Sequence, residues 1–74
     1  MKLKFKYNET EVLFATEKLL NLTRLLSRTE KYTLGYISAR IGSDISMCED
    51  ILQYLHAGGF YHVDKDGLWS VLNN

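Results

Sequence analysis

Residues 33–60 read TLGYISARIGSDISMCEDILQYLHAGGF, and this stretch decides the fold. On each side of Gly42, apolar residues recur every three or four positions, which is the period of an α-helix with one buried face. The apolar positions are Leu34, Ile37 and Ile41 before the glycine, and Cys48, Ile51, Leu52 and Leu55 after it. Glycine readily takes the positive φ with which helices often end. The stretch therefore predicts two short helices that meet at a tight turn at Gly42.

Polar residues mark the limits of these two helices. Thr33 is predicted as the N-cap of the first helix. Ser46 with Glu49 three residues later is the spacing of a capping box, which predicts that the next helix begins at Ser46. We expect this helix to occupy residues 46–57 and to stop at Gly58 and Gly59.

A longer helical pattern precedes this pair. Asn8 with Glu11 three positions later marks a helix start, and the pattern continues to residue 27 or 28. Its apolar stripe comprises Val12, Ala15, Leu19, Leu22 and Leu26, widened by Leu13, Leu20 and Leu25, and the opposite face carries Glu17, Asn21, Arg24 and Arg28. Two short helices do not cover so wide a stripe from one side. We therefore expect part of helix 8–28 to meet a partner, either a second copy of the chain or another protein.

Both ends of the chain read as extended segments. Residues 60–63 and 68–72 are rich in aromatic and β-branched side chains and flank a turn that ends in Asp66-Gly67, which predicts a β-hairpin. Lys2 to Tyr7 alternates lysine with apolar residues, the period of a short strand or of an extended arm that pairs with the hairpin. The predicted fold is α+β, one domain over residues 1–74 with three helices followed by a hairpin.

Length and composition narrow the classes of function. A chain of 74 residues has little to spare for a pocket beside its core, so we expect no catalysis. Nine basic and nine acidic residues give zero net charge, which neither favours nor excludes nucleic acid. One cysteine and two histidines cannot supply a four-ligand zinc site, so no metal or other cofactor is expected. No apolar run reaches the roughly 18 residues of a membrane span and no signal peptide follows Met1, which predicts a cytoplasmic protein.

The helical pair resembles a known family motif. A helix, a helix-turn-helix and a hairpin, in that order, form the winged helix-turn-helix, and the central run is similar to the motif of bacterial winged-helix transcription regulators. The matching positions are Ile37, Ala39, Ile41, Gly42, Cys48, Leu52, Leu55, Gly59 and Phe60. Residues 12–26 look like the family's first helix and residues 61–72 like its wing, in which Trp69 is expected to pack as a lid on the third helix. The resemblance implies a DNA-binding regulator, although winged helices also serve as protein-binding modules.

The resemblance also implies which residues would meet DNA. The face of helix 46–57 opposite its buried stripe would enter the major groove with Ser46, Met47, Glu49, Asp50, Gln53 and Tyr54. Gln53 could pair with adenine, Ser46 could bond a phosphate or a base edge, and Met47 could contact a thymine methyl. Phosphate contacts would come from cations that flank this helix, namely Lys31, Arg40 and Lys65, together with Lys2, Lys4 and Lys6 on the arm.

Two carboxylates on the inserted helix leave a second hypothesis open. Glu49 is expected to close the capping box, or else to accept from a cytosine amino group. Asp50 is expected to be a solvated residue of the first helical turn, where the helix dipole favours it. The first hypothesis is a dimeric regulator that inserts helix 46–57 into the major groove of double-stranded DNA. The alternative is an interaction module that binds a protein partner and not DNA.

Overall fold

The computed structural model describes residues 7–72, which form three helices followed by a two-stranded antiparallel hairpin. The elements are α1 (Glu9–Thr23), α2 (Leu34–Ile41), α3 (Ile45–Ala57), β1 (Tyr61–Val63) and β2 (Trp69–Val71). This is the expected α+β layout, and its topology is winged-helix-like. The strand or arm expected over residues 2–7 lies outside the described residues except for Tyr7.

Helix α1 begins where the sequence indicates and ends earlier. The Asn8 side chain accepts hydrogen bonds from the backbone N–H groups of Thr10 and Glu11, at 2.8 and 3.2 Å, and so caps the helix. The α-helix ends at Thr23 rather than at residue 27 or 28, because the backbone N–H groups of Leu25 and Leu26 both turn back to the carbonyl of Leu22. This tight last turn carries the side chain of Leu26 into the core.

The corner between α2 and α3 forms as predicted. The Thr33 hydroxyl accepts from the backbone N–H of Tyr36 at 3.0 Å and caps α2. Gly42 takes φ +66°, and the next N–H, that of Ser43, closes the helix end on the carbonyl of Ser38 at 3.1 Å. A Cβ built at Gly42 would meet no atom within 4 Å, so the left-handed backbone alone calls for glycine.

The start of α3 corrects the predicted capping box. Helix α3 begins at Ile45 with Asp44 as its N-cap, and the Asp44 carboxylate accepts from the N–H groups of Ser46 and Met47 at 3.1 and 3.2 Å. Aspartate is itself a preferred N-cap residue, and it comes one step after the turn that follows Gly42. The prediction that Ser46 and Glu49 form a reciprocal cap is therefore wrong.

The core lies between the three helices and the hairpin. Its buried apolar residues are Val12, Ala15, Leu19, Leu22, Leu26, Ile37, Ile41, Met47, Cys48, Ile51, Leu52, Leu55, Tyr61, Trp69 and Val71. Both predicted stripes are buried, apart from Leu34, which is half-buried. The three leucines that widened the stripe of α1 remain exposed: Leu13, Leu20 and Leu25.

The wing is held to the helices from two sides. In the hairpin Tyr61 pairs with Val71 and Val63 with Trp69. Residue Tyr32, before α2, exchanges both of its backbone hydrogen bonds with Trp69, at 2.7 and 2.8 Å, and so adds a third extended partner beside β2. The buried indole of Trp69 meets the ring of His56 on α3 edge-on, with centroids 6.4 Å apart, which confirms its place as a lid.

Candidate nucleic-acid interface

The exposed edge of α3 lies opposite its buried stripe. At 3.6 residues per turn, Ser46 and Gln53 fall at the centre of this edge, two turns apart, with Glu49 and Asp50 on either side. Ser46, Glu49 and Gln53 are exposed and Asp50 is half-buried. Tyr54, at the border of the edge, is 58% exposed. Gln53 and Tyr54 therefore stand out from the body of the domain, as their spacing predicted.

Met47 does not belong to this edge. Its side chain is only 5% exposed and is part of the hydrophobic core, so the prediction that Met47 lies on the outward face of the helix is wrong. Position 47 precedes Ile51 by four residues and Cys48 by one, which places it on the buried side of α3 once the whole helix is packed. Met47 lines a depression together with Phe14 and Ala15 of α1.

Tyr7 contacts the exposed edge from the N-terminal side. Its hydroxyl donates to the carboxylate of Asp50 at 2.9 Å and shares a second hydrogen bond with the hydroxyl of Ser46 at 3.1 Å. Because a tyrosine hydroxyl carries one proton, the Ser46 hydroxyl donates in the second bond. The alternation over residues 2–7 predicted only a short strand or an arm, and no local pattern pairs Tyr7 with residues 39 and 43 positions away.

A basic segment directly precedes Tyr7 in the chain and contains Lys2, Lys4 and Lys6. A segment of five residues spans at most about 18 Å, which sets the upper limit of the distance between these lysines and Tyr7. These lysines matter for binding nucleic acid, because residues 44–60 include the acidic Asp44, Glu49 and Asp50 and no lysine or arginine.

Lys31 is held in an ion pair. Its ammonium donates to the Asp64 carboxylate at 2.9 Å and ties the segment before α2 to the turn of the hairpin. The same carboxylate accepts from the backbone N–H groups of Asp66 and Leu68. The Leu68 N–H first, and then Lys31, lower the pKa of the Asp64 carboxyl from its ordinary value. The charge of Lys31 is thus already compensated within the domain.

The other two predicted phosphate contacts, Arg40 and Lys65, have different surroundings. Arg40 donates to the hydroxyl of Tyr36, with its guanidinium 5.5 Å from the centre of that ring, and lines a shallow depression together with Leu25, which follows α1. Lys65 lies exposed in the turn of the hairpin. Of the three predicted phosphate contacts, Lys31 is thus bonded to Asp64 and Arg40 to Tyr36, whereas Lys65 is exposed beside Asp64.

Reactive and metal-binding chemistry is not assembled in the described residues. Cys48 is fully buried, and burial raises the pKa of its thiol to about 11, so the thiol stays protonated at neutral pH. The Nδ1 atom of His56 lies 2.8 Å from the carbonyl oxygen of Tyr61 and donates to it. Within residues 7–72, no three histidine, cysteine or acidic side chains come together as a metal site.

Comparisons of the chain with protein-family models, curated proteins and solved structures find no match. The structural class is therefore given by the fold alone, which is a small α+β domain with winged-helix-like topology. In the part of the chain that the structure describes, no helix is both long enough and apolar enough to cross a membrane.

Proposed function

We propose that this protein binds double-stranded DNA as a small transcription regulator, with α3 in the major groove. The observation that carries the proposal is the exposed edge of α3, at which Gln53 and Ser46 stand two turns apart on a helix that follows a tight corner. The major groove admits a helix of this width, and the Gln53 amide suits the paired donor and acceptor of adenine. A regulator of this kind would act in the cytoplasm, without catalysis of its own.

Affinity in this proposal comes from cations around α3 rather than on it. Lys65 would contact a phosphate from the turn of the hairpin, and the arm that precedes Tyr7 would bring Lys2, Lys4 and Lys6 to the backbone beside the groove. Basic N-terminal arms serve other helix-turn-helix domains in the same way. Their charge offsets Glu49 and Asp50, which otherwise repel the phosphates. One copy would bind weakly, so two copies would place their α3 helices about 34 Å apart, one DNA turn.

The salt dependence of binding tests the proposal. Fluorescence anisotropy of a labelled random duplex should show binding by the full chain in dilute salt and a steep loss of affinity as salt rises. Four phosphate contacts per copy correspond to a slope of about −3.6 in a plot of log affinity against log salt, and Lys65→Ala should flatten it by about 0.9. Lys18→Ala, an exposed lysine on α1, is the control and should leave the slope unchanged. Absence of binding at about 50 mM salt with tens of micromolar protein would overturn the proposal.

Glu49 offers a second, independent test. Its side chain is exposed and does not cap α3, so Glu49→Gln removes one negative charge from the edge without breaking a side-chain bond within residues 7–72. If α3 enters the groove, the variant should bind random duplex several-fold more tightly in dilute salt, because one repulsion against the phosphates is gone. Glu30→Gln, an exposed carboxylate before α2, should have little effect. Equal affinities of wild type and Glu49→Gln would place α3 away from the DNA.

The acidic edge favours one other function, a protein-interaction module. Apart from His56, residues 44–60 carry no basic side chain, and the exposed Ile45 and Tyr54 lie on its borders. Such a surface would suit a basic, partly apolar peptide. Under this function, lysine-rich peptides should bind in calorimetry and lose affinity with Glu49→Gln, the opposite direction to the effect expected for DNA.

A further inference from the structure

The outward side of α1 carries two leucines that the domain leaves uncovered. Leu13 is 63% exposed and Leu20 is 42% exposed, although the opposite side of the same helix is in the core. Glu17 lies between them and Arg24 one turn beyond Leu20. Positions 13, 17, 20 and 24 follow a spacing of four, three and four, so the four side chains form one stripe along the helix, here called the α1 stripe.

The two charges of the α1 stripe have no opposite charge to meet along their own helix. Residues three or four positions from Glu17 or Arg24 on α1 are apolar or uncharged: Leu13, Phe14, Leu20 and Asn21. Neither Glu17 nor Arg24 has an ion-pair partner among residues 7–72. The stripe thus presents one acidic and one basic group, two turns apart, with an exposed leucine between them.

This order of charges is complementary to itself in one orientation. When a second α1 lies antiparallel with the twofold axis close to Leu20, the Leu20 side chains of both copies meet. Glu17 of each copy then faces Arg24 of the other, as a closed twofold contact requires. In a parallel arrangement Glu17 would face Glu17 and Arg24 would face Arg24, so like charges would repel.

We propose that the α1 stripe is the contact between two antiparallel copies of this chain. This dimer contact is an addition to the proposed DNA-binding function. It rests on that function only for its purpose, which is to bring two α3 edges together. With the axis close to Leu20, the two helices overlap only from Glu17 to Arg24, and Leu13 lies outside this overlap. Eight helical residues are about 12 Å long and about 10 Å wide, so the area that each copy buries is well below the roughly 800 Å² per partner of a standard interface. The dimer is therefore weak and forms with increasing concentration.

Sedimentation equilibrium of the full chain, without DNA, tests the contact. The mass should rise from 8.6 kDa towards twice that value as the concentration rises from micromolar to about 0.5 mM. Leu20→Glu should weaken the dimer on the order of 30-fold, because it places a carboxylate from each copy in the centre of the contact. Leu72→Glu is the matched control, since Leu72 is 38% exposed and follows β2 rather than belonging to the α1 stripe. A chain that stays monomeric throughout this range overturns the proposal.

Exchanging the charges tests the antiparallel orientation. Glu17→Arg and Arg24→Glu should each weaken self-association, because each single variant opposes like charges across the axis. A mixture of the two variants should form a mixed dimer, since both contacts across the axis then pair an arginine with a glutamate. The double variant should recover the wild-type dimer, because it restores the opposite charges with their positions exchanged. If none of these changes affects self-association, the α1 stripe is not part of the contact.

The two proposals fail separately. If the stripe variants disrupt a dimer but the protein binds no duplex, the DNA-binding proposal is wrong and the interface is supported. If the protein is a monomer but binds duplex with a steep salt dependence, the interface proposal is wrong and the DNA-binding proposal is supported. Circular dichroism of each variant should match the wild type, because all the changed side chains are exposed.

Discussion

The start of α3 gives a prediction with a measurable size. The Asp44 carboxylate binds two of the backbone N–H groups that the first turn of the helix leaves without helical partners. Replacing an N-cap of this kind by alanine costs about 1 kcal/mol of unfolding free energy. In a domain of this size, that loss lowers the melting temperature by about 4–8 °C. Asp44→Ala should therefore melt several degrees below the wild type in a scan monitored by circular dichroism.

Two further variants separate the cap from other contributions. Asp44→Asn keeps the accepting oxygen and loses only the charge near the helix N-terminus, so it should cost about 0.3–1 kcal/mol at most. Ser46→Ala removes only the exposed hydrogen bond to Tyr7 and should cost less than about 0.5 kcal/mol. If Ser46→Ala lowered the melting temperature as much as Asp44→Ala, the assignment of Asp44 as the cap would be refuted.

Three other outcomes follow from the geometry. Gly42→Ala should destabilise the domain by about 1–2 kcal/mol in urea unfolding, because φ +66° is strained for any residue with a Cβ, and an unchanged midpoint would contradict that. Asp64 has a lowered pKa, so its contribution to stability is present above its ordinary value of 3.8 and is lost as the pH falls through the lower folded value. The difference in urea midpoint between the wild type and Asp64→Asn should accordingly shrink below pH 4. A constant difference would show that the Asp64 carboxylate does not stabilise the hairpin turn. The buried Cys48 thiol should resist iodoacetamide at pH 8 and react once urea unfolds the chain, whereas rapid labelling of the native protein would show an accessible thiolate.

Local signals located most of the helix ends. Asn8, Thr33 and Gly42 act as the sequence predicts because each acts through backbone groups within five residues of itself. The start of α3 was missed because Asp44 and Ser46 are both good N-cap residues two positions apart. Which side chain accepts the orphan N–H groups depends on the path of the chain out of Gly42.

The candidate site depended more on the packed fold. Helical period alone predicted the exposure of Ser46, Gln53 and Tyr54, but Met47 lies at the margin of the buried stripe, and the approach of α1 decides its side. Likewise, a local pattern indicated that Lys31 was an available cation, but its ion-pair partner, Asp64, lies 33 positions away in the hairpin turn.

The amino-acid sequence by itself determined the order of the elements, the corner at Gly42 and the two buried stripes, because these depend on φ preferences and on periods of a few residues. Tertiary structure alone decided which partners the charged groups at the α3 edge and at the hairpin turn meet. The bonds from Tyr7 to Asp50 and from Lys31 to Asp64 join residues 43 and 33 positions apart. Such contacts arise only when packing of the core brings distant segments within the roughly 3 Å reach of a hydrogen bond.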